Sequence, residues 1–167
     1  MRTQEMMKLR VMDVSSGTTI GSVTGIVFDG EKRQVVALEV GGGLLSSPDY
    51  LPFMSIKSVE NDVLTIPSSA VLVGREEFKA SGLVGDISGR AVFTDDGRNL
   101  GTVHECDVDT SNGEITSVTV ALDTAVMGGL WRSAGERFDI PRRLILTLGD
   151  SVVVDGSVSA ATVGAPR

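Results

Sequence analysis

Apolar and polar residues alternate in short runs along this chain, and the runs come in pairs. Residues 34–40 ("QVVALEV") and 114–120 ("EITSVTV") place apolar side chains at alternating positions, the period of a half-buried strand. Residues 21–29 ("GSVTGIVFD") and 101–109 ("GTVHECDVD") are rich in β-branched residues and end at turn residues. Between these runs lie "DGEKR" and "DTSNG", which read as hairpin turns with Gly, Asp and Asn where positive φ is needed. Further on, "LPFMSIKSV" with "DVLTI", and "IPRRLILTL" with "SVVVD", predict shorter strands split by "END" and "GD". Several short strands with regular turns and no long amphipathic helix predict an all-β chain of small antiparallel barrels.

The pairing is a repeat. "GTTIGSV" at Gly17 returns as "GRNLGTV" at Gly97, 80 positions later, and residues 10–40 fall on 90–120 without a gap. Gly17 with Gly97 closes the turn after the first strand of each copy, and Gly21 with Gly101 starts the second. A glycine at that start suits a bulge or a tight corner where a side chain would clash. Beyond position 40 the offset becomes 89, set by Pro52 and Pro141, so the second copy has nine extra residues between Val120 and Pro141. The expected organisation is a first barrel over 7–68, a connector over 69–85, a second barrel over 86–156 and a flexible tail over 157–167. Within the connector, "REEFKASG" reads as a short helix stopped by Gly82.

The shared pattern is G-x-x-[IL]-G-x-V, then [IF]-x-[FV]-D, a turn, V-x-x-L-x-V and a later P-x-x-x-I. It resembles the PRC-barrel domain in both copies. That family includes the cytoplasmic part of a photosynthetic reaction-centre protein, the C-terminal half of RimM-type ribosome maturation factors, and many stand-alone proteins. The resemblance implies a small, mostly antiparallel barrel and an adaptor-like role in protein binding, with no shared catalytic set. The chain departs from the reaction-centre protein in carrying no N-terminal membrane helix. It departs from RimM-type factors in having two PRC-like halves. Its lone tyrosine, Tyr50, leaves an aromatic-pair contact of the ribosome-maturation type without a counterpart.

Composition narrows the function classes. Acidic residues number 22 against 15 basic, a net charge of −7, which disfavours direct binding to DNA or to an anionic membrane surface. One cysteine, Cys106, excludes an intramolecular disulfide, and with no signal peptide or membrane span in the sequence it predicts a cytoplasmic protein. Aromatics are only 4%, so the core has to come from Val, Ile, Leu and Met.

Candidate chemistry is sparse. His104 and Cys106, two apart, would share a strand face, but a zinc site or a Cys–His nucleophile needs further partners. "TDDG" and "DVDT" lack the oxygen spacing of a calcium loop. "GGG" at 41–43 lacks the Gly-Lys-Ser/Thr and the helix that complete a P-loop. "PRR" at 141–143 reads as a charged edge. The strongest binding lead is a pair of loops, 41–51 and 121–137. They carry Leu44 and Leu45 in the first copy and Met127, Leu130, Trp131 and Arg132 in the second. A Trp–Arg pair at a loop tip is typical of an interface, and the competing reading, favoured by the usual burial of Trp, is that these apolar residues pack over the barrel ends or between the barrels.

The expectation is therefore a non-enzymatic adaptor or scaffold that needs no metal or other cofactor. It would bind an unidentified protein partner, or itself as a homo-oligomer. The alternatives are a RimM-type accessory to ribosome maturation or RNA processing, acting on a ribosomal particle, and a small-molecule or metal-binding module around His104.

Overall fold

The computed structural model describes residues 1–41, 48–78, 83–122 and 137–158, with the side chains of Arg75 and Phe78 left aside. The chain divides into two compact units: Met1–Asp86 with Asp109–Glu114, and Ile87–Val108 with Ile115–Arg167.

The first unit opens with a single helical turn, α1 (Thr3–Met6), followed by β1 (Arg10–Asp13), β2 (Thr18–Asp29), β3 (Gln34–Gly41), β4 (Asp49–Pro52), β5 (Ser58–Glu60) and β6 (Val63–Ile66). These form one ladder in the order β4-β3-β2-β1-β6-β5, and β7 (Leu83–Val84) pairs with β2 beside it. The second unit repeats the ladder position for position. Its strands β8 (Ala91–Thr94), β9 (Asn99–Val108), β10 (Ile115–Leu122), β11 (Arg137–Pro141), β12 (Ile145–Leu148) and β13 (Val152–Val154) run in the order β11-β10-β9-β8-β13-β12.

One pair in each unit departs from the antiparallel expectation: β1 runs parallel to β6, and β8 to β13. The cause is the short connection after β4. A 3-10 turn, Phe53–Ser55, carries the chain from one end of the ladder to the other without reversing it. The consecutive strands β4 and β5 are thus the two edges of a six-strand ladder. Laid flat, that ladder would be roughly 24 Å wide. The six steps from Pro52 to Ser58 span at most about 21 Å fully extended, and less through a 3-10 turn. The sheet has to curl. In the second unit only Arg142–Leu144 separate β11 from β12, so the curl is tighter still. This is the physical basis of the two barrels.

The inward faces make the cores. Val11, Val23, Ile26, Phe28, Leu38, Leu51, Leu64 and Ile66 are buried in the first unit; Val92, Leu100, Val103, Cys106, Val118, Ile140, Ile145 and Val154 in the second. The turn 109–114 belongs to the first unit, where Val35 N donates to Gly113 O at 2.8 Å.

The repeated heptapeptide has a two-part explanation. Gly17 and Gly97 have φ of +70° and +90°, left-handed values that glycine adopts without strain. The second glycine follows a bulge. Pairing with β1 skips Ile20, between Met12↔Thr19 and Val11↔Gly21, and pairing of β9 with β8 skips Leu100 in the same way. At Gly21 a Cβ would stand 2.4 Å from the Gly41 carbonyl oxygen, so strands β2 and β3 meet where no side chain fits.

Candidate protein-binding face

Each barrel turns one side of its first three ladder strands inward and the other outward. In the first unit the outward rows are Val27–Ala37–Pro52 and Gly25–Glu39–Tyr50, each residue facing the next across β2, β3 and β4. This outer side is apolar enough to form a second, smaller core: Val27, Ala37 and Tyr50 are buried, with Val36, Val73 and Leu83 packed on them. Glu39 is held by Tyr50, whose hydroxyl donates to Oε1 at 2.9 Å. Gly25 leaves room for that carboxylate, since a Cβ there would come within 2.4 Å of Oε2.

The covering residues belong to the segment after β6. Val73 and Tyr50 exchange two backbone hydrogen bonds, Tyr50 N to Val73 O at 2.8 Å and Val73 N to Tyr50 O at 2.9 Å. Leu83 and Val84 pair with Asp29 and Phe28. The stretch expected as a connector is thus bound to the first unit as a partner strand. Of its expected helix over 75–82, Arg75–Phe78 form a 3-10 turn, and residues 79–82 lie outside the described residues.

The second unit carries a different chemistry at the same positions. Asp107, Ser117 and Pro141 replace Val27, Ala37 and Pro52; Glu105, Thr119 and Asp139 replace Gly25, Glu39 and Tyr50. Ser117 Oγ donates to Asp107 Oδ2 at 3.2 Å, and Thr119 Oγ1 donates to Asp139 Oδ1 at 2.6 Å. Cross-strand polar pairs of this kind hold neighbouring strands in register. Glu105 and Thr119 are nevertheless buried, at 6% and 5% exposure. Sequence reading by motif passes over this row. It becomes visible when the outward positions of the two copies are compared pair by pair.

His104 and Cys106 do not share a face, contrary to the expectation from their spacing. Val103 pairs with Val120 and Glu105 with Thr119, so the ladder skips His104. A bulge resets the alternation. Cys106 therefore lies in the core at 1% exposure, opposite Val118, while His104 is half-buried. Among the described residues no three His, Cys, Asp or Glu side chains gather as metal ligands. Leu44, Leu45, Met127, Leu130, Trp131 and Arg132 lie outside the described residues. Of the "PRR" stretch, Pro141 ends β11 and the two arginines open the 3-10 turn after it.

The shifted carboxylates are all held below the usual carboxylate range, each by turn hydrogen bonds. Asp13 is lowered to about 2, chiefly by the Ser15 hydroxyl, against an opposing effect of burial and with help from the Ser69, Ser16 and Ser15 amides. Asp29 is lowered first by the Lys32 amide, Asp96 by the Thr94 hydroxyl, Asp109 by the Ser111 hydroxyl and Asp155 by Ser157. These are anchors of backbone turns, ionised at neutral pH. A groove of about 360 Å³ lies at the N-terminus, lined by Met1, Glu5, Lys8, Leu9, Asn61 and Asp62, where Asp62 pairs with Arg10 at 2.8 Å. Its lining carries no Ser, Thr, Cys, His or aromatic side chain.

No helix among the described residues is long and apolar enough to cross a membrane. A family model described as the PRC-barrel domain matches the chain twice, over residues 1–73 and 83–158. No curated protein matches it.

Proposed function

Because the chain belongs to the PRC-barrel family in both of its halves, we propose that it is a non-enzymatic adaptor whose second barrel binds a protein partner. The observation that carries this reading is the contrast between equivalent faces. In the first unit the outer face of β2–β4 holds a polypeptide segment, by strand pairing at Tyr50 and by packing on Val27 and Ala37. The same face of β9–β11 has the same backbone frame but presents Asp107, Ser117 and Asp139, half-buried, with Glu105 and Thr119 buried beside them. A partner that fits it would bring basic or hydrogen-bond-donating side chains. Charge complementarity of this kind sets encounter rate and register as much as affinity.

The test is affinity capture from lysate with three proteins: wild type, Asp107→Lys and Glu60→Lys. The last makes the same charge change on an exposed position of β5. Melting temperatures are compared first, so that capture is judged only among folded variants. The adaptor reading expects a protein retained by wild type and Glu60→Lys and reduced about tenfold or more with Asp107→Lys. Ribosomal proteins among the losses would turn the reading toward ribosome maturation. Equal capture by all three would remove the face from consideration and leave the loops, testable with Leu130→Ser/Trp131→Ser.

A further inference from the structure

Asn112-Gly113 is the chain's single Asn-Gly pair; Asn61 precedes Asp62 and Asn99 precedes Leu100. An asparagine before glycine is the most prone to deamidate, because no Cβ obstructs the approach of the glycine nitrogen to the asparagine side chain. In that reaction the Gly113 nitrogen, having given up its proton to base, bonds to Asn112 Cγ. The side-chain nitrogen leaves as ammonia. Water then opens the cyclic imide at either carbonyl, giving aspartate or isoaspartate. Three Asp-Gly pairs, at 29–30, 96–97 and 155–156, can close the same ring only through the protonated acid, and turn hydrogen bonds hold their carboxylates ionised.

The turn 109–114, part of the first unit, holds each group that the ring closure has to move. Gly113 N, the attacking atom, donates its proton to Asp109 O at 2.8 Å. Asn112 Oδ1, on the carbon under attack, accepts from Glu114 N at 2.8 Å. Toward β3, Gly113 O accepts from Val35 N at 2.8 Å, and Gln34 Nε2 donates to Asn112 O. Gly113 is buried at a φ of +80°, and a Cβ there would stand 2.5 Å from Val35 O and 3.0 Å from the Phe53 ring. The seat on β3 therefore requires glycine, and that glycine is what makes Asn112 labile.

We propose that Asn112 is a latent deamidation site, closed while the turn 109–114 is seated on β3 and reactive once the turn opens, and that conversion to isoaspartate unseats the turn. Reaction runs only from the open form, so its rate scales with the fraction of time the turn is open. Each hydrogen bond that must break is worth roughly fivefold in that equilibrium, and the three backbone donors at Val35, Gly113 and Glu114 together on the order of a hundredfold. The aspartate product keeps the backbone and an oxygen for the Glu114 N–H. Isoaspartate carries an extra methylene in the main chain before Gly113, which moves Gly113 N and O away from Asp109 and Val35. The site does not depend on the adaptor reading.

Peptide mapping of the full chain, aged at mildly alkaline pH in native buffer and in guanidinium chloride, tests this. Asn112 should convert on the order of a hundredfold more slowly in the native chain than in the unfolded one. Gln34→Ala, which removes the side-chain hold on Asn112 O, should raise the native rate about fivefold and leave the unfolded rate unchanged. Hydrogen exchange at the Val35 amide, whose acceptor is Gly113 O, reads the same opening without any substitution, and its protection should match the slowing. Similar conversion in native and unfolded chains overturns the proposal, as does Val35 protection that does not match. In the isoaspartyl form, refolded and separated by chromatography, Val35 should exchange on the order of fivefold faster. The Val23 amide, bonded to Leu9 O at 2.9 Å, should keep its rate. Unchanged exchange at Val35, or equal acceleration at Val23, shows that isoaspartate does not unseat this turn specifically and overturns that step.

Discussion

Alanine at Gly21 tests the strand–turn–strand corner against its companion glycine. A Cβ at position 21 would stand 2.4 Å from the Gly41 carbonyl oxygen, 3.0 Å from the Gly41 carbonyl carbon and 3.1 Å from Val40 Cγ1. The first two are backbone atoms and cannot rotate away. The overlap with the oxygen is about 1 Å inside ordinary contact, so β2 and β3 have to part at the Ser22↔Gly41 pair. Overpacking against fixed neighbours costs about 1–3 kcal/mol, and the lower entropy of the unfolded alanine chain offsets about 0.4–1 kcal/mol of it. At Gly17 nothing lies within 4 Å, but φ is +70°. Alanine there meets only the left-handed backbone cost, about 1–2 kcal/mol, less the same offset. Since the clash at Gly21 is with backbone, the upper part of its range applies, and Gly21→Ala should be less stable than Gly17→Ala by on the order of 1 kcal/mol. Native-state hydrogen exchange at the Val23 amide, bonded to Leu9 O at 2.9 Å, reads the difference as roughly fivefold faster exchange. If Gly17→Ala proves equally or more damaging, the close approach of β2 and β3 is not what selects glycine at 21.

Asp13→Asn should lower the melting temperature at neutral pH. Its amide can still accept from Ser15 and Ser16, but an NH₂ would face the Ser69 N–H that Oδ2 now accepts. The folded carboxyl titrates at about 2, below its ordinary 3.8, so its contribution is complete above about pH 4 and is lost as pH falls toward 2. The gap between wild type and variant, followed by thermal melts from pH 6 to 2, should narrow over that window; a constant gap would refute the assignment. Cys106, at 1% exposure, should resist a thiol reagent in native buffer and react on addition of denaturant. Rapid stoichiometric labelling of the native protein would show that the bulge at His104 does not bury it.

The repeat was legible because its glycines answer to backbone geometry. A left-handed turn at 17 and 97 and a bulge just before 21 and 101 each leave a mark at one position. The bulge at His104 left none of that kind. "VHEC" keeps apolar residues at both ends, and only the partner strand shows that 103 and 106, not 104 and 106, share a side. The parallel pairing of β1 with β6 was equally hidden, because direction depends on how the chain crosses from β4 to β5 rather than on any residue in either strand. The docking of Val73 rests on main-chain bonds at Tyr50, and the run Val71-Leu72-Val73, flanked by Ser68-Ser69-Ala70 and Gly74, is too short to mark itself as a partner strand.

The two copies differ most where their cores do not reach. Inside, apolar stays apolar: Ile26 and Cys106, Leu38 and Val118, Leu51 and Ile140 are all buried. Outside, the changes are linked. Gly25 makes room for the Glu39 carboxylate, which the Tyr50 hydroxyl then satisfies. With Glu105 in the place of Gly25, the facing residues become Thr119 and Asp139, and the hydrogen bond survives in a shorter form. Placing a glutamate at position 25 alone would set it against Glu39, whereas the set of three replaced together keeps each strand in register. Such linked replacement maintains a sheet face while altering what the face can hold. The first barrel uses its face to bind its own chain through Val73 and Leu83. The second keeps the frame but trades a buried apolar cluster for carboxylates and hydroxyls. Duplication has thus left one barrel whose outer face is covered by its own connector and one whose corresponding positions are carboxylates and hydroxyls, and it is on this contrast that the proposed adaptor function is tested.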